Sequence, residues 1–148
     1  MAGVNAVAQT VQITTGTSLI TLMQILAATN QRVKVKEISI SFNGVSNTAA
    51  PILVEILRQT SAGTMSALSP VKQNSSDSET LQTTAQYNAT AEPSASSIVM
   101  TEQVHPQGGY LWQAPFGGEI VVPGAGRLGL RVTAGASVSA VARMVFEE

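Results

Sequence analysis

The sequence has no cysteine, one histidine (His105), 4% aromatic residues and 11% charged residues in 148. Without cysteine there are no structural disulfides, thiolate metal sites or cysteine nucleophile. A single histidine cannot build the multi-histidine metal centre of a cupin enzyme. The chain also has no G-x-S-x-G, so a serine hydrolase would lack its nucleophile elbow and any choice of base. Charge is well below the roughly 25% of ordinary soluble domains, and a net charge of −1 leaves no basic stripe for nucleic acid. The most apolar run, Leu19 to Ala28, is interrupted by Thr21 and Gln24. It is about half the ~20 residues that span a bilayer, so no membrane partner is expected. No basic start precedes the first apolar residues, and cytoplasmic synthesis without export is the expectation.

Neutral polar residues stand where charge is missing: Ser, Thr, Asn and Gln number 47, beside 44% hydrophobic residues. Such a chain is long enough for one domain with a real core. Its weakly charged surface suits close packing against neighbours.

Short runs with a two-residue period dominate the chain. Val33 to Phe42 is the clearest strand, and its alternation slips unless a β-bulge adds a residue near Lys36 and Glu37. Ile52 to Gln59 is apolar on both faces, as in a covered strand. Further strands are expected at Thr80 to Glu92, Ile98 to Val104, Gly109 to Pro115, Gly118 to Pro123, Arg127 to Thr133 and Ser137 to Phe146. Ser61 to Glu79 reads as a long polar loop without elements. In the stretch from Ser18 to Asn30, Leu19, Leu22, Met23 and Leu26 fit helical spacing with Ser18 as a cap, which predicts one short helix. Residues 1–16 read as an extended N-terminal arm or edge strand suited to attachment between subunits, and 17–148 as a single β-sandwich domain. The fold class is all-β: a two-sheet, jelly-roll-like sandwich of about eight short antiparallel strands.

Gly124 to Gly129, GAGRLG, matches G-x-G-x-x-G, the dinucleotide fingerprint. That motif needs a following helix to receive the pyrophosphate. Here Leu128, Leu130 and Val132 alternate like a strand, so the reading is a hairpin turn with Gly124 and Gly126 at positive φ. His105, beside proline and near glycine, reads as a turn or strand-end residue. Glu55, Glu92, Glu102 and Glu119 lie on separate segments with nothing to bring them together as paired acids. No catalytic residue, cofactor or metal is expected. Tyr110 and Trp112, at i and i+2 on one strand face, suit core or interface packing, with a sugar-stacking platform as the other reading. Arg127, Arg131 and Arg143 are expected to pair with Glu119, Glu147 or Glu148 or with a partner's acids. Candidate interface residues are Val4, Val7, Val11, Ile13, Tyr110, Trp112, Arg127 and Arg131.

The segments VHPQGGYLWQAPFGGEIVVPGAGRLGLRVTAGASVSAVARMVFEE (from Val104) and QRVKVKEISISFNG (from Gln31) resemble small virion proteins of tailed bacteriophages. The resemblance implies a jelly-roll capsid decoration, or cement, protein. Such a subunit is often a homotrimer, sits on the virion exterior, is made in the host cytoplasm and binds the major capsid protein. The other reading within this setting is a glycan-binding module of a head or tail fibre.

Overall fold

A computed structural model describes residues 3–45 and 50–148. It is all-β, with two antiparallel sheets. The first sheet has the order β10 (Gly109–Gln113), β4 (Val33–Phe42), β13 (Ser139–Glu147), β1 (Asn5–Gln9), β7 (Val71–Lys72), with β11 (Ile120–Val122) also on β4 and β2 (Ile13–Thr14) also on β13. The second has the order β6 (Thr64–Leu68), β8 (Thr84–Ala91), β3 (Ile20–Leu26), β12 (Arg127–Thr133), β5 (Ile52–Gln59), β9 (Ala95–Val104).

Eight of these strands form nested pairs: β1 with β13, β3 with β12, β4 with β10, and β5 with β9. First therefore pairs with last and so on inward, which is a long hairpin rolled into two sheets. That is jelly-roll topology. Each crossing between sheets turns an alternating strand's apolar face onto the other sheet. Val33, Val35, Ile38, Ile40, Met144 and Phe146 from the first sheet thus meet Met23, Ile25, Ile56, Leu128, Leu130 and Val132 from the second, all at most 2% exposed.

The bulge expected in β4 is present. Val145 faces Glu37 and Phe146 faces Val35, so Lys36 is the extra residue. Both apolar pairs stay inside while Lys36 swings out to Glu147 and Asn5.

Three expectations need correction. The stretch read as a helix is strand β3. A register shift there leaves Leu22 between Met23, opposite Leu130, and Thr21, opposite Arg131. Leu22 and Met23 are both fully buried, and two successive buried residues imitate helical spacing. The stretch read as an irregular loop holds β6 and β7, edge strands added by an excursion between β5 and β9. The positive φ in the GAGRLG turn belongs to Ala125 (62°), not to Gly124 or Gly126.

Residues 5–9 are integral to the first sheet, with Ala6 and Ala8 fully buried. The two ends of the chain pair, as Val4 N donates to Glu148 O at 3.0 Å and Glu148 N to Val4 O at 2.9 Å. Total accessible surface is 7179 Å². A folded monomer of this mass exposes about 7,150 Å², in keeping with described residues that close into one body. The segment Asn43 to Pro51, whose Asn, Gly and Pro read as a turn between the strands Val33 to Phe42 and Ile52 to Gln59, lies partly outside the described residues.

Ala125 occupies the third position of the Pro123–Gly126 turn, closed by Gly126 N to Pro123 O at 2.8 Å. A left-handed conformation costs a non-glycine residue about 1–2 kcal/mol, partly offset by glycine's greater chain entropy. Ala125→Gly is therefore expected to stabilise the protein by roughly 0.5–1 kcal/mol, measured by denaturant unfolding. An unchanged or lowered midpoint would contradict the strained-turn assignment.

Candidate interaction surface

Sheet alternation leaves one face of each sheet outside the core, and the two outer faces differ. On the second sheet, Thr21, Gln24, Leu57, Gln59, Gly129 and Arg131 point away from the core, yet most are buried. What covers them is the chain around Ser61 and Ala62 as it leaves β5, and around Glu92 as it returns. Gln24 holds this cover down. Its amide nitrogen donates to Gln59 Oε1 at 2.7 Å and to Ser61 O at 3.0 Å. Its oxygen accepts from Gln86 Nε2 at 2.8 Å and from Arg127 Nη1 at 3.1 Å.

All four hydrogen-bonding capacities of the Gln24 amide are used. Gln86 also donates to Ala62 O at 2.8 Å. Gln59 Nε2 donates to Thr21 Oγ1 at 3.1 Å, and Thr21 donates through N and Oγ1 to the Glu92 carboxylate at 2.8 and 2.6 Å. The last glycine of GAGRLG finds its reason here, because a Cβ on Gly129 would overlap the Gln59 side-chain oxygen. Gly129 is a glycine inside a strand, the usual sign of a close approach by another group.

The arginines are placed differently from expectation. Strands β12 and β13, which carry them, lie in different sheets. Arg131 Nε meets Glu55 Oε2 at 2.8 Å with both side chains largely buried, Arg143 pairs with Glu37, and Arg127 bonds Gln24. None pairs with Glu119, Glu147 or Glu148. Glu147 instead takes Lys36 at 2.5 Å, and Glu148 accepts from the backbone of Gln82 and Thr83.

Among the candidate interface residues, Val4 and Ile13 are buried, Val7 is half-buried and Val11 is exposed. Tyr110 and Trp112 are half-buried and pack against the core. The Tyr110 hydroxyl reaches Glu102 at 3.3 Å, and burial followed by that carboxylate raises its pKa. His105 is a turn residue whose Nδ1 accepts from Gln107 N at 3.1 Å. Among the described residues no group of three or more His, Asp or Glu could hold a metal, and no helix is long and apolar enough to cross a membrane.

The first sheet leaves its outer face open. Large apolar side chains stand exposed at both edges: Val71 on β7, and Leu111, Phe116 and Val121 along β10–β11. Sequence reading overlooked Phe116, although its setting in Pro115-Phe116-Gly117-Gly118 marks a turn tip. A cleft of about 430 Å³ opens beside β1 and β7, lined by Gly3, Val4, Asn5, Gln73, Asn74, Asp77 and Glu79. A second, of about 330 Å³, shares Gly3, Val4 and Glu79 with it.

Two outcomes follow from these bonds. Gly129→Ala must displace Gln59 and break a buried network, which is expected to cost about 2–3 kcal/mol in equilibrium unfolding; a loss within about 0.5 kcal/mol, typical of surface changes, would contradict the network's role. Glu147 is held below the 4.5 of a free glutamate, first by its hydrogen bond to Lys36, against an opposing effect of burial. Because the folded value is lowered, this pair adds stability above about pH 4.5 that is lost as pH falls through the folded value. Lys36→Met should raise the Glu147 pKa, read by carboxyl NMR titration, and an unmoved titration would exclude Lys36 as the cause.

No family model, curated protein or solved structure matches this chain.

Proposed function

We propose that the protein is a structural virion protein of a tailed bacteriophage. In this reading it is a decoration, or cement, subunit that binds the outer surface of the head as a homotrimer and ties neighbouring major capsid proteins together. The resemblance of its C-terminal half to such proteins motivates the proposal. One observation supports it: large apolar side chains stand out at the edges of the first sheet, with Phe116 wholly exposed. Leu111, Phe116 and Val121 along one edge are where a protein contact would form. The glycan-binding reading needs a presented aromatic pair, and Tyr110 and Trp112 turn towards the core instead.

A decoration protein works by mass action. Binding the assembled lattice and not its separated subunits, it stabilises each site by roughly 2.7 kcal/mol at a hundredfold excess over its dissociation constant. Phage heads stripped of the protein should release DNA at lower temperature than decorated heads, and re-addition of purified protein should restore the difference. Equal heat resistance of stripped and decorated heads would defeat the proposal.

A further inference from the structure

Strands β10 and β11 lie end to end along β4, pairing with Glu37–Ser41 and Val33–Val35 in turn. Between them the chain leaves the sheet edge after Ala114 N donates to Lys36 O at 2.8 Å. It then reverses in a turn closed by Gly118 N to Pro115 O at 2.8 Å, with Gly117 at φ 78°. A Cβ on Gly118 would sit 2.7 Å from Pro115 Cγ, so proline and both glycines fix this turn. Phe116 at its tip is wholly exposed. A turn whose backbone is fixed beneath an exposed aromatic ring is pre-organised for a contact, because little backbone freedom remains to be lost on docking.

Among the described residues, several charges outside the three ion pairs lie towards the two ends of the first sheet, whereas Arg127, Glu92 and Glu148 are held by hydrogen bonds elsewhere. At the β11 end Lys34 lies opposite Val121, Arg32 sits just before Val33, which faces Val122, and Arg58 Nη1 donates to Val121 O at 3.0 Å. The carboxylates at that end are Glu119 and Glu102. At the β7 end Asp77 and Glu79 line the 430 Å³ cleft, with Lys72 nearby, its Nζ on Asp77 O at 2.8 Å. The sheet order puts the Phe116 projection, whose end of the sheet carries three cations against two carboxylates, and the cleft, with two carboxylates against one cation, at opposite edges, so no copy can fill its own cleft.

We infer that Phe116 of one copy seats in the cleft between β1 and the Gln73–Glu79 segment of a second copy, head to tail. Arg32, Lys34 and Arg58 then approach Asp77 and Glu79. A heterologous contact of this kind generates a ring when its rotation closes. The inference rests on the homotrimer reading above and supplies its interface.

The absence of cysteine makes the contact directly testable. A Phe116→Cys, Gln73→Cys double variant should oxidise to covalent dimers and trimers. Each single variant alone should stay uncross-linked, and a mixture of the two should give one disulfide-linked pair. Phe116→Ala should weaken association on the order of a hundredfold in native mass measurement, as truncating a central aromatic anchor does, without changing the thermal midpoint at dilutions where both proteins are monomeric. Phe116→Trp should retain association. A wild-type protein that stays monomeric at every concentration would overturn the trimer reading and the contact together. A wild-type trimer indifferent to Phe116→Ala, or Phe116→Cys chains that cross-link to one another, would overturn the contact alone.

Discussion

The Gln24 amide is the constraint on which much of the remaining structure depends. It sits in the most apolar stretch of the chain, where a polar group is tolerated only when its bonds are made. Its four partners come from β5, β8, β12 and the chain leaving β5, which are far apart in sequence. Satisfying this one amide therefore fixes the route of the excursion from Thr60 to Ser94. That route extends both sheets beyond the eight-strand roll, adding β6 and β8 to one and β7 to the other. Without it, β3 and β1 would be open edges. The cost is borne at Gly129, which must remain without a side chain.

The same economy governs the charges. With so few available, three ion pairs bind strands within the sandwich, and Lys36 reaches its partner only because the β4 bulge turns it outward. Several of the remaining charges are unevenly distributed between the two ends of the first sheet. An uneven residue of charge matters more on a weakly charged surface, where little else competes with it, and it orients approaching partners. Exposed valine, leucine and phenylalanine at the same two ends provide the apolar area that long-lived contacts need.

Much of this fold is legible in the sequence where alternation is regular. The β4 slip at Lys36 reads correctly because both flanking apolar pairs must face one core, and His105 reads as a turn residue from its proline and glycine neighbours. Strand β3 misleads because a bulge and cover on both sides erase the two-residue period. Strands β6 and β7 are hidden because edge strands bury little, and Thr64 to Lys72 has no apolar rhythm. The GAGRLG turn shows a different limit. Glycine content marks the turn, but Gly124 and Gly126 are small because Thr29 and Pro123 crowd them, while Ala125 carries the left-handed backbone. Ion pairing was illegible because it depends on which sheet each strand joins. Phe116 is conspicuous only once the projection from β4's edge is known.

The reading of this chain as a head decoration subunit is tested most directly by an electron cryomicroscopy reconstruction of the purified virion at a resolution that separates strands. The result in keeping with it is a three-fold cluster of this jelly roll on the outer head surface, touching more than one major capsid subunit. Heads bare of such density, or the same fold found only at a tail fibre, would contradict it.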